Sequence, residues 1–96
     1  MPTYIELVSW TDQGIRNIKE APQRIEAFRK TVEAAGGKLI GFYVTIGKYD
    51  IVTIVDAPND EAITNIALNT GSRGNVRTET MKAFTEQEFR NILAKM

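Results

Sequence analysis

The stretch KLIGFYVTIGKYDIVTIVD, from Lys38 to Asp56, decides the fold. Two runs rich in β-branched and aromatic residues, KLIGFYVTI and DIVTIVD, meet at the polar group Gly47-Lys48-Tyr49-Asp50. Such runs form strands, and a glycine between them can supply a positive φ, so the segment predicts a tight β-hairpin. Both strands are apolar on both sides, whereas an antiparallel strand with one wet face alternates apolar and polar residues. Each side of this hairpin therefore needs a cover.

The flanking sequence provides one of the two covers. Upstream, Ile25, Phe28, Val32 and Ala35 recur at spacings of three and four, with Pro22 near the start and Gly36-Gly37 at the end. That is an amphipathic helix. Before it, TYIELVSW at residues 3–10 reads as a first strand, and TDQGIRNIKEA as a polar connection with a short helical turn around Ile15 and Ile18. Downstream, APNDEA opens a second helix, with Asn59 or Asp60 as its cap and acidic residues in its first turn. Ile63, Ile66 and Ala67 form its buried stripe, and Gly71 or Gly74 stops it. NVRTETMKAF is a fourth strand. TEQE, Thr85 to Glu88, matches a capping box flanked by Phe84 and Phe89, and starts a last helix with Phe89, Ile92 and Leu93 on one side.

The order is that of a single α+β domain over residues 1–96, a ferredoxin-like βαββαβ unit with an antiparallel four-stranded sheet and a C-terminal helix. Right-handed crossovers place both main helices on one face of the sheet. The terminal helix is only about three turns long, so a second subunit packing sheet against sheet is the expected cover for the other face.

Composition narrows the chemistry. Twelve basic and twelve acidic residues cancel, which argues against a protein built to grip nucleic-acid phosphates. There is no cysteine and no histidine, so disulfides, thiolate nucleophiles, imidazole bases and the usual zinc and haem ligands are absent. Acid–base work would fall to carboxylates, tyrosines or lysines. No ligand cluster at metal-binding spacing is present, and neither metal nor cofactor is expected. No signal-peptide pattern and no membrane-length apolar run occurs, so the expected location is cytoplasmic and no membrane partner is expected.

Taken in order, WTDQGI, GGKL, YVTIGKYD, APNDEA and GNVRTETMKAF resemble the small GYD-domain proteins, named for a Gly-Tyr-Asp-type signature. In this chain the signature position reads Gly47-Lys48-Tyr49-Asp50. The resemblance spans nearly the whole chain and implies a dimeric α+β barrel, two ferredoxin-like sheets packed face to face. The wider barrel group includes small monooxygenases, ring-isomerising enzymes, haem-dependent enzymes and amino-acid-sensing domains. A shared fold transfers none of these activities.

Four carboxylate or phenol groups are candidates for catalysis: Tyr49, Asp50, Asp12 and Glu6. Tyr49 and Asp50 could act at the barrel mouth, or Asp50 could simply bond backbone amides near the turn. Asp12 starts the connection after the first strand. Glu6 sits mid-strand, next to the fourth strand in this topology, where an ion pair with Arg77 is expected, either fixing the assembly or clamping a ligand. Trp10, Tyr43, Arg77 and Glu79 are the candidate ligand-binding residues, with Trp10 and Tyr43 as aromatic walls of one pocket.

GSRGN, residues 71–75, follows a helix and so reads as a helix stop, not a phosphate cradle. GFYVTI has a passing likeness to the aromatic strand of RNA-recognition motifs, but lies on the second strand, where such a motif belongs on the third. The expected function is a homodimer, or a higher assembly of dimers, that binds a small molecule in a barrel cavity. The alternatives are a cofactor-independent oxygenase- or isomerase-type enzyme using carboxylate or tyrosine acid–base chemistry, and a purely structural interaction module.

Overall fold

The computed structural model describes residues 1–96. Strands β1 (Thr3–Trp10), β2 (Lys38–Val44), β3 (Ile51–Asp56) and β4 (Val76–Ala83) form one sheet in the order β2-β3-β1-β4. All three pairings are antiparallel. The helices are α1 (Asp12–Arg16), α2 (Ala21–Ala34), α3 (Asp60–Ser72) and α4 (Glu86–Ala94), with a 3₁₀ turn at Ile18–Glu20 between the first two. This is the ferredoxin-like arrangement.

Alternation along the strands assigns their faces. On β1, Tyr4, Glu6 and Val8 are buried while Ile5 and Leu7 between them are only half-buried. Tyr4 joins Val55 from β3, Val32 from α2, and Ile63 and Ile66 from α3 in the core between sheet and helices. Complete burial of a side chain such as Ile66 contributes roughly 1.5–3 kcal/mol, and Val32, Val55 and Ile66 all reach 0% exposure. The core is pinned at its edge by the Tyr4 hydroxyl, which donates to the Asp60 carboxylate. Lys82 Nζ lies 3.3 Å from the same oxygen. That hydrogen bond, aided by burial, pushes the Tyr4 phenol up to about 12.

The helix signals act locally. Pro22 occupies the first turn of α2, Asn59 Oδ1 accepts from Ala62 N at 2.9 Å to cap α3, and Thr85 and Glu88 form the reciprocal capping box of α4. The hairpin is looser than expected. β2 ends at Val44 and β3 begins at Ile51, leaving Thr45–Asp50 as a loop instead of a tight turn. Thr45 N donates to Asp50 O at 2.8 Å, Thr45 Oγ1 donates to Tyr49 O at 2.7 Å, and Gly47 takes φ 138° within the loop they close.

The other side of the sheet is open. It carries Ile5, Leu7, Val52 and Ile54, all half-buried, with Tyr43 at 59% and Met81 at 45% exposure. The terminal helix does not cover it: Phe89, Ile92 and Leu93 of α4 remain exposed, as does Phe84 before it. No helix is long and apolar enough to cross a membrane.

Candidate ligand-binding site

Between the helix face of the sheet and the facing ends of α2 and α3 lies a half-open cavity of about 110 Å³. Its walls are apolar, with Trp10 from β1, Phe42 from β2, Ile51 from β3, and Ile25 and Phe28 from α2. The charged groups lining it are Glu6, Arg24 and Arg73.

Glu6 lies beneath this space at 1% exposure. In the strand register it stands opposite Thr53 of β3 and Thr80 of β4. The Thr53 hydroxyl donates to Glu6 Oε1 at 3.2 Å, and the Thr80 hydroxyl donates to Oε2 at 3.4 Å. Burial pushes the Glu6 carboxyl above the usual carboxylate range, and the two threonine hydroxyls offset part of that rise. No cationic nitrogen pairs with it.

Arg24 reaches the same cavity from the first turns of α2. Its Nη2 donates to the carbonyl of Gly14 at 3.1 Å, while its Nη1 is buried without an acceptor. A buried donor left unpaired costs about 1–3 kcal/mol. It is therefore a feature that calls for an explanation.

The rim is built by the chain entering α1. Thr11 N donates to Asn75 O at 3.0 Å, Thr11 Oγ1 to Gly74 O at 2.6 Å, and Gln13 Nε2 to Asn75 Oδ1 at 3.0 Å. These bonds bring the segment after β1 against the segment before β4, with Trp10 and Asn75 both at the cavity wall.

The residues expected from sequence are divided between the two faces of the sheet. Glu6 and Trp10 line the cavity on the helix face. Arg77 pairs in register with Ser9 and Glu79 with Leu7, so both lie on the open face, and Tyr43, opposite Val52, lies there too. The expected Glu6–Arg77 ion pair is absent, because an even position on β1 and Arg77 on β4 point to opposite sides. Trp10 and Tyr43 are separated for the same reason and do not wall one pocket. Asp12 is exposed in the first turn of α1, away from the cavity.

The signature residues bind the loop to its neighbours. Asp50 Oδ2 accepts from Trp10 N at 2.9 Å and Asp50 N donates to Val8 O at 2.9 Å, extending the β1–β3 seam past the end of the ladder. The Tyr49 hydroxyl donates to Glu79 Oε2 at 2.9 Å, and Lys48 Nζ sits 5.5 Å from the centre of the Tyr49 ring.

Sequence reasoning missed Arg24, Thr53 and Thr80. A signal existed for the first: Arg24 precedes Phe28 by four residues, so it belongs to the buried stripe of α2. Thr53 stands between Ile51 and Val55 on an otherwise apolar face, but only the register brings it to Glu6.

The fold and cavity define a ferredoxin-like α+β domain with a pocket between its sheet and helices. The GYD domain family model matches residues 4–93, and the chain belongs to that family. It is 33% identical over 84 residues to the glutamine synthetase and cystathionine beta-lyase binding protein of Thermus thermophilus, covering 86% of this chain and 88% of that one.

Among solved structures, the fold is similar to the feast or famine regulatory protein of M. tuberculosis complexed with L-methionine. The TM-score is 0.66 at 16% identity, over 88% of this chain and 51% of that one. It is also similar to a solved structure from Thermus thermophilus, with TM-score 0.57 and 23% identity over 88% of this chain and 95% of that one. The chain thus spans about half the length of the mycobacterial regulator, and at these identities the likeness is one of fold.

Proposed function

We propose that the protein is a binding module, assembled as a homodimer through the open face of its sheet, that holds a small molecule. The carrying observation is the cavity between sheet and helices: apolar walls with a few convergent polar groups are the usual make-up of a small-molecule site. At about 110 Å³ it suits only a very small ligand or the end of a longer one. It lies within one protomer, not between two sheets. Binding is favoured over catalysis because the charged groups lining it are one carboxyl and two guanidiniums, and a guanidinium does not exchange protons near neutral pH.

The dimer reading rests on the open sheet face, with Ile5, Leu7, Val52 and Ile54 backed by the exposed side chains of Tyr43 and Met81. Contiguous apolar surface of this kind marks an interaction site. A second reading, that the chain binds another protein, is favoured by the name of the Thermus relative and by the uncovered apolar side of α4.

Native mass spectrometry of freshly purified protein, followed by denaturation in the same instrument, tests both readings. The expected result is a dimer that releases a small mass. An empty dimer would move the weight to protein binding, and an empty monomer at micromolar concentration would overturn the proposal.

A further inference from the structure

We propose that the cavity is a site for a small organic acid with a compact apolar body, its carboxylate taken by Arg24. The inference rests on the small-molecule reading above and names the class of ligand.

Three observations carry it. First, Arg24 lines the cavity and is held by a single bond, from Nη2 to the Gly14 carbonyl, while Nη1 is buried with no acceptor. A ligand oxygen at the cavity wall supplies that acceptor once the guanidinium turns towards it, and a charge-assisted bond in a poorly solvated site is a strong one. Second, the space is walled by Trp10, Ile25, Phe28, Phe42 and Ile51, which exclude an extended polar ligand and accept a branched hydrocarbon. Its volume is about 110 Å³, so the body must be short.

Third, Glu6 has no cationic partner in the protein. Left ionised, it would repel a second carboxylate. Its burial favours the neutral carboxyl, which admits an anion. The groups lining the cavity around it are Arg24 from α2, Arg73 at the end of α3, Thr53 from β3 and Thr78 from β4, with the Thr80 hydroxyl also on its carboxyl. Among them only Glu6 is a carboxyl. Binding of the acid should therefore weaken as pH rises and Glu6 ionises.

The test is an amide NMR titration of the full chain with isobutyrate and with isobutyramide, its neutral isostere. Isobutyrate should shift the amides of Thr53, Val76 and Thr78 saturably, and isobutyramide should bind at least about tenfold more weakly. Arg24→Gln should erase that preference. Arg24→Lys, which keeps the charge without the planar fork, should retain part of it. Glu6→Gln should remove the decline in isobutyrate affinity that the native chain shows as pH rises above the usual carboxylate range. If Arg24→Gln does not fold, the ratio of the two probes on the native chain still tests the class.

Saturable binding of isobutyramide as tight as that of isobutyrate overturns the organic-acid inference and leaves the small-molecule reading standing. No shift at these amides with either probe also overturns the inference. The mass of any retained molecule then decides the broader reading separately.

Discussion

Replacing Gly14 by alanine should detach α1 from the start of β4. A Cβ at Gly14 would lie 2.0 Å from the carbonyl oxygen of Asn75 and 2.9 Å from its carbonyl carbon. Both atoms are backbone, so no side-chain rotation relieves the overlap, and the chain before α2 has to move. What it gives up are the Thr11 N to Asn75 O and Thr11 Oγ1 to Gly74 O bonds, together with the more exposed Gln13 contacts.

At about 0.5–1.5 kcal/mol for each hydrogen bond, the two Thr11 bonds contribute about 1–3 kcal/mol. The better helix propensity of alanine returns at most about 1 kcal/mol. A net loss of about 1 kcal/mol is expected, read as a fall of about 0.5 M in the urea midpoint by circular dichroism at fixed protein concentration. Gly71→Ala is the control, because nothing lies within 4 Å of its built Cβ and it sits inside α3. It should leave the midpoint unchanged or raise it. A Gly14→Ala variant that unfolds at the native midpoint would refute the reasoning. Since the Gly14 carbonyl holds Arg24, the same variant should also weaken isobutyrate binding.

Two further outcomes follow from the two faces of the sheet. The folded Glu6 carboxyl is raised by burial, so the folded chain binds this proton more tightly than the unfolded one. The associated stability is fully present below the unfolded carboxyl range, near about 4.3, and is lost as pH rises through the folded value. Glu6→Gln should therefore gain in Tm relative to the native chain as pH increases from 4.5 to 8.5. A difference independent of pH would count against a buried, titrating carboxyl. On the other face, Leu7→Asp should reduce the mass seen by light scattering from dimer to monomer while isobutyrate binding persists. An unchanged mass would remove Leu7 from the interface.

The secondary structure was legible because its signals are local. The spacing of Phe28 and Val32, the Asn59 cap and the Thr85–Glu88 box each act within a turn or two of helix, and each is present where the sequence put it. The topology followed from the βαββαβ order of the elements, with right-handed crossovers putting both main helices on one face of the sheet. The site was less legible, since it depends on which side of a strand each residue takes and on what stands opposite in register.

Glu6 illustrates both halves of this. Its place in mid-strand next to β4 was readable, but pairing it with Arg77 ignored the alternation that sends Glu6 towards Thr53 and Thr80 and Arg77 the other way. The hairpin loop is longer than its sequence predicts for a related reason. Ile46 continues the strand pattern by composition, yet the bond from Thr45 N to Asp50 O closes the loop before it.

The Gly-Lys-Tyr-Asp group then acquires a structural meaning that its residue types alone did not disclose. Asp50 engages the backbone of Val8 and Trp10 on the strand that lines the cavity, while Tyr49 holds Glu79 on the open face. One short loop thus touches both sides of the sheet. A change at Arg24 should affect ligand alone and a change at Leu7 assembly alone, because each side chain belongs to one face. Loss of the Asp50 carboxylate should weaken isobutyrate binding in the amide titration without changing the mass seen by light scattering, because the Trp10 amide it accepts from is the point where the β1–β3 seam meets the cavity wall. These contacts give the tyrosine and the aspartate of this loop a structural role, one on each face of the sheet.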